Sequence, residues 1–322
     1  MAESSSLSHS KWRHALGVLA LASSAAVLLS ACSGNTPDSS APSDTTPGSA
    51  VDEELRGTLP QSIIDAGMIT ITASFDNPPV IYASEADASK PAGVAYDLSV
   101  ALTGLFGVEP DWQNTQWPGQ LPGLDAGTFD VAWGQATVTA EREESLYDMI
   151  PFYLAPLSVL VPEGNPNGIT SFASMCGVTV GGSVGAIQEY YVGLANDAFC
   201  DDGNKIKYVS YSTSEEVALA SGAIDAIIDT YPVNVGAAKA MGGVEAVKLS
   251  DADKFDSGLA GIVFTKTNPA LANAFATGLQ KLWDEGVYQQ ILNDNGVPDA
   301  ILERDQLVVN YLTGTPAGEI KG

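Results

Sequence analysis

Between Arg56 and Arg304 the chain carries a single arginine, Arg142, in the run Phe129-Asp-Val-Ala-Trp-Gly-Gln135-Ala-Thr137-Val-Thr-Ala-Glu-Arg142. A planar guanidinium that stays charged at any physiological pH presents a fork of donors matched to a carboxylate. The formal net charge is −25, so one cation just past an apolar run, inside the folded part of the chain, points to a small anionic ligand. The competing assignment is a surface ion pair with Glu141, Glu143 or Glu144. Other chemistry is excluded by composition. The two histidines, His9 and His14, both lie in the N-terminal leader, which leaves no Ser-His-Asp or Cys-His centre and no His-ligated zinc in the remainder. No metal ligand set and no cofactor motif is apparent.

The leader has a physical signature of its own. Lys11, Arg13 and His14 precede an apolar stretch over residues 15–29, which closes on Leu29-Ser-Ala-Cys32. That stretch is shorter than the roughly 20 residues of a spanning helix and ends in small residues, as an export signal does. The tetrad resembles a lipobox, which makes residues 1–31 a lipoprotein signal peptide and Cys32 the acylated residue. With no paired arginines, export by the Sec route is expected. Residues 33–51 are Ser, Thr, Pro, Gly, Asp and Ala with almost nothing to bury, the composition of a flexible tether. The expected location is the extracellular face of the cell membrane, with the lipid as the only membrane contact.

From residue 52 onward the chain is long enough for two ordinary domains. The excess of acid argues against nucleic acid and against direct adhesion to anionic lipid, both of which need basic patches. Cys176 and Cys200 are free to pair in an oxidising compartment; two buried thiols are the alternative. Short apolar runs alternate with amphipathic stretches. Strands are expected at Met68–Ala73, 109–113, 129–133, 177–180, 206–210 and 225–228. Helices are expected at 96–106, 118–126, 185–198, 212–221, 232–241 and 268–285, and Thr139 is placed to cap the turn that carries Arg142. This alternation implies an α/β fold with largely parallel sheets. Extended segments at 155–161 and 259–264 suggest two crossings between lobes, with a ligand cleft between them.

Several stretches, in order, resemble the family 3 extracellular solute-binding proteins, the polar amino-acid receptors of bacterial ABC importers. They are Gly93-Val-Ala-Tyr-Asp97-Leu98, Trp117-Pro-Gly-Gln-Leu-Pro-Gly-Leu-Asp-Ala-Gly127, the Phe129–Arg142 run, Pro151-Phe-Tyr and Ser221-Gly-Ala-Ile-Asp225-Ala. The resemblance spans about residues 55–295. It implies a two-lobed type II periplasmic-binding-protein fold with residues 52–156 plus 260–300 as lobe 1, 157–259 as lobe 2 and 301–322 as a C-terminal extension. Cys176 stands where actinobacterial members often begin a disulfide.

By the same resemblance Arg142 grips the ligand α-carboxylate, Thr137 adds a hydroxyl, Trp117 stacks on the ligand, and Gln135 lies on the strand between them. The family's Asp, Tyr and Phe near the end of the first strand are Ser74, Asn77 and Val80 here, and its Gly-Thr-Thr turn is Gly185-Ala186-Ile187. Its amine-binding Asp falls on Thr230, with Asp229 one residue earlier. Either a local bulge brings Asp229 into the cleft or the amine has no carboxylate partner, so a standard amino acid, a modified one and another small carboxylate all remain candidates. The function implied is that of a lipid-anchored, monomeric receptor that closes on its ligand and delivers it to an ABC permease and its ATPase. Two alternatives stand beside it: a receptor feeding a membrane sensor, and an enzyme of the dehydratase or decarboxylase type using Asp76, Asp148 or Asp229.

Overall fold

The computed structural model describes residues 50–320 apart from 214, 256 and 257. The expected signal peptide, Cys32 and all of the tether except Ala50 and Val51 lie outside the described residues. Along the chain the strands are β1 (Met68–Ala73), β2 (Asp76–Asn77), β3 (Ile81–Ala83), β4 (Pro91–Ala92), β5 (Glu109–Asn114), β6 (Val131–Thr137), β7 (Tyr147–Leu154), β8 (Leu157–Pro162), β9 (Thr179–Ser183), β10 (Lys207–Tyr211), β11 (Ala226–Thr230), β12 (Val244–Lys248) and β13 (Leu259–Thr265).

Two five-stranded sheets form, ordered β5-β1-β6-β13-β7 and β10-β9-β11-β8-β12, with a small β2-β3-β4 sheet beside the first. In the first sheet β1 runs parallel to β5 and β6, while β13 is antiparallel to both β6 and β7. In the second, β9 is parallel to β10 and β11, and β8 is antiparallel to β11 and β12. The segments at 155–161 and 259–264 are therefore not simple connectors. Residues 157–161 belong to strand β8 and 259–264 to strand β13, and the crossings fall between β7 and β8 and between β12 and β13.

A strand buried on both faces reads as a continuous apolar run, as at Ile262, Val263 and Phe264 of β13, whereas β1 buries the alternating apolar residues Ile69, Ile71 and Ala73. The helix Pro269–Asp284 turns Leu271, Phe275, Leu279 and Leu282 into the first core, the stripe set by the 3.6-residue period. Its Gly278 meets the helix Val94–Phe106 so closely that a Cβ there would lie 2.2 Å from Leu102 Cδ1. In the second lobe Cys176 and Cys200 form a disulfide, which ties down the helix Ile187–Phe199 at its C-terminal end. In the chain-entropy description a loop of this size is worth about 3 kcal/mol.

β7 was not legible in the sequence. Its run Tyr147-Asp-Met-Ile-Pro-Phe-Tyr-Leu154 contains an acid and a proline, which argue against a central strand. β7 is an edge strand, however, and its pairing with β13 shifts register at Pro151, between Ala260 and Gly261. A proline is tolerated at such a bulge.

Candidate ligand-binding cleft

A cleft of about 390 Å3 opens between the two lobes, walled by Ser74, Asp76, Asn77 and Trp117 from the first and by Ser183, Glu215, Glu216 and Asp229 from the second. A smaller recess of about 70 Å3 adjoins it, bordered by Ser74, Asn77, Trp117, Gln135, Gln188 and Asp229. Around this space residues of the two lobes meet. Trp117 Nε1 donates to Gly185 O at 3.3 Å. Thr230 Oγ1 donates to Gln135 Oε1 at 3.2 Å. There is also a backbone approach, in which a Cβ on Gly236 would come within 2.2 Å of Pro78 O, so that only glycine lets the helix Tyr231–Met241 reach the first lobe here.

Arg142 opens a π-helical turn, Arg142–Leu146, just after β6; single π turns inside proteins recur at functional sites. Thr139 caps the turn, its Oγ1 accepting from Arg142 N at 3.2 Å. The guanidinium donates from Nη1 to Thr137 O at 2.8 Å and lies 5.8 Å from the centre of the Trp117 ring. Of the acids that flank it, Glu143 is bonded to the backbone of residues 312 and 313 instead. Glu143 is fully buried. Arg142 does not itself wall the cleft. It stands behind Trp117, with most of its five N–H donors uncommitted.

The other expected residues divide. Ser74, Asn77, Trp117, Gln135 and Asp229 border the recess. Thr137 is buried, and it meets Arg142 through its carbonyl oxygen; its hydroxyl has no such contact. Ile187 packs against the second lobe's core, and the residue beside it, Gln188, borders the recess instead; successive helix residues point about 100° apart. Asp229 reaches the cleft without the bulge considered from the sequence, because β11 pairs with β8 in unbroken register. Asp229 shares a strand face with Ile227, and both wall the cleft, while Ile228 turns into the core. Thr230, at the strand end where the chain enters the next helix, still reaches Gln135. The Asp229 carbonyl is held from behind by Ser158 Oγ at 3.1 Å and Asn234 Nδ2 at 3.4 Å.

Electrostatically the cleft is one-sided. Asp76, Glu215, Glu216 and Asp229 wall it, and among the described residues no lysine or arginine does. Burial pushes the Asp229 carboxyl up to about 7, against the pull of the Thr230 N–H and with further upward push from Glu215, Asp76 and Glu216. Burial also raises Glu215, with Glu216 and Asp76 adding to the effect. Two buried polar atoms at the recess, Ser74 Oγ and Gln135 Nε2, have no hydrogen-bond partner among the described residues, a costly condition that an incoming polar group would relieve. Gln135 Oε1 is already occupied, accepting from Tyr153 Oη at 2.8 Å as well as from Thr230. Sequence reasoning missed Glu215, Glu216, Ser183 and Gln188. The two glutamates carried the ordinary signal of acids in a helix's first turn, which masks a second role.

The family model for bacterial extracellular solute-binding proteins, family 3, matches residues 69–296. The chain belongs to that family. Among its relatives the arginine-binding protein ArgT of Corynebacterium glutamicum is 29% identical over 270 residues, covering 80% of this chain and 83% of ArgT. Among solved structures, the amino acid ABC transporter substrate-binding protein AbpA from Streptococcus pneumoniae bound to L-arginine superimposes with a TM-score of 0.65 at 21% identity, over 73% of this chain and 97% of AbpA. An ancestral amino acid-binding protein described as a precursor of cyclohexadienyl dehydratase gives 0.62 at 23% identity, over 73% of this chain and 97% of its own. These likenesses establish the two-lobed fold.

Proposed function

We propose that this family 3 protein is a lipid-anchored receptor for a basic amino acid, held at the extracellular face of the membrane through Cys32 and passing its ligand to an ABC permease. The observation that carries the reading is the cleft itself, walled by four carboxylates and ending in a recess with an unpartnered hydroxyl and an unpartnered amide. The α-carboxylate sits toward Arg142 and Gln135 Nε2. The α-ammonium sits on Asp229. A cationic side chain extends along Asp76, Glu215 and Glu216, where it offsets their mutual repulsion. Lobe closure carries the ligand out of water and strengthens each of these contacts. The arginine-binding relative agrees with this ligand class, and the curated relatives are binding proteins, which favours transport over turnover.

A thermal-shift series tests the ligand class. A ligand at 100 times its Kd adds about 2.7 kcal/mol, which raises Tm by roughly 5–10 °C in a chain of this size. L-arginine, L-lysine or L-ornithine is expected to produce that shift, and L-glutamate or simple organic acids none. A response confined to acidic or uncharged ligands would remove the basic-amino-acid reading. For the anchor, Cys32→Ser is expected to move the protein from the membrane fraction to the medium, and continued membrane retention would show a different attachment.

A further inference from the structure

The segment after residue 296 lies beyond the part of the chain that matches the family model. It folds back along the free edge of β7 and is bonded there at several points. Asn310, fully buried with φ +54°, donates its backbone N–H to Met149 O at 2.7 Å, and its Oδ1 accepts from Met149 N at 3.0 Å. One asparagine thus satisfies both outward-facing backbone groups of an edge-strand residue, which would otherwise be open to foreign pairing. Its Nδ2 donates to Asp148 Oδ1 at 3.0 Å. Asp148 is fully buried, paired with Lys266 Nζ at 2.9 Å, and its Oδ2 accepts from Gly318 N at 2.7 Å.

The same segment reaches the turn that carries Arg142. Glu143, the next residue, is fully buried, and its two carboxylate oxygens accept from the backbone N–H groups of Leu312 at 3.4 Å and Thr313 at 2.9 Å. A carboxylate buried this deeply is expensive unless hydrogen-bonded, and the tail amides offset that cost in this geometry. Glu143 and Arg142 are adjacent residues of one π-helical turn, so a constraint on Glu143 restrains the backbone that carries the guanidinium.

We propose that the C-terminal segment 308–318 is a positioning strap for the ligand clamp, acting through Glu143 on Arg142. The strap rests on the reading of Arg142 as the carboxylate grip. Glu143 touches no ligand and is a positioning residue. Its loss misplaces the donors that face the carboxylate and leaves the contacts to the amine and the side chain in place.

The test compares L-arginine with L-argininamide, which keeps both cations and loses the carboxylate. The wild type is expected to favour the acid, and Arg142→Ala to abolish that preference. Glu143→Ala, and separately removal of residues 308–322, are expected to cut the acid-over-amide ratio at least tenfold while argininamide affinity changes less than twofold. Glu143→Gln, which keeps the shape and one acceptor oxygen, is expected to fall between. Hydrogen exchange reads the turn without any ligand: amides 142–146 are expected to exchange at least tenfold faster in both variants, with β9 in the other lobe unchanged. A lowered Tm with unaltered ratio and unaltered exchange at 142–146 would overturn the strap. A wild type with no acid preference would defeat the Arg142 grip, and the exchange result would still decide whether the tail holds the turn. If Glu143→Ala does not fold, Glu143→Gln and the shortened chain carry the same comparison.

Discussion

Arg142→Ala is expected to weaken binding of a basic amino acid by about a hundred- to ten-thousand-fold while the protein stays folded. The magnitude follows from two charge-assisted hydrogen bonds at about 1.5–3 kcal/mol each, with 1.4 kcal/mol per factor of ten in Kd. The fold is spared because the guanidinium makes one hydrogen bond, to Thr137 O, worth about 1.5–3 kcal/mol, besides its approach to the Trp117 ring. Arg142→Lys keeps the charge without the planar fork and is expected to recover only part of the loss. Isothermal calorimetry with L-arginine reads all three proteins, and an unchanged Kd in Arg142→Ala would place the carboxylate elsewhere.

The second large effect is on Asp229. Its carboxyl is raised to about 7 in the unliganded protein, chiefly by burial, and only the ionised form holds an ammonium. Affinity is therefore expected to climb as pH rises through 7 and to fall about tenfold per unit below it. Binding near pH 6 should release a proton, visible as a calorimetric enthalpy that depends on the buffer. For the unliganded fold the sign is opposite. The folded state holds this proton more tightly than the unfolded chain, so Asp229 contributes stability below pH 4 that is lost as pH rises through 7. Asp229→Asn is expected to lose about a hundredfold or more in affinity, since it removes one partner of a buried charge pair. It should also flatten the pH profile and raise the unliganded Tm at pH 8. A variant that binds normally with an unaltered pH profile would exclude Asp229 as the amine partner.

Residues near one another in the sequence were read well. The run from β6 to Arg142, with Thr139 capping the turn, is local chemistry: an apolar strand, a hydroxyl at capping distance and a cation. The helix Pro269–Asp284 announced itself by its stripe. Placement was harder. Asp229 and Thr230 could not be separated by pattern, since which of two adjacent strand residues faces the cleft depends on the register of β11 against β8. Thr137 and Ile187 stand at positions the family resemblance marks, Ile187 where the family has threonine, yet the structure turns one toward Arg142 by its backbone and packs the other against the core.

The sequence by itself determined the α/β alternation and the presence of a lone cation in an acidic chain. These follow from composition and from periods of two and 3.6 residues, which each segment carries within itself. Only the tertiary structure decided that Asp76, Glu215, Glu216 and Asp229 converge on one cavity, and that residues 308–318 return to hold the turn bearing Arg142. Both depend on contacts between residues far apart in the chain, such as Thr313 with Glu143, and their geometry is set by sheet order and lobe packing. No local pattern encodes it.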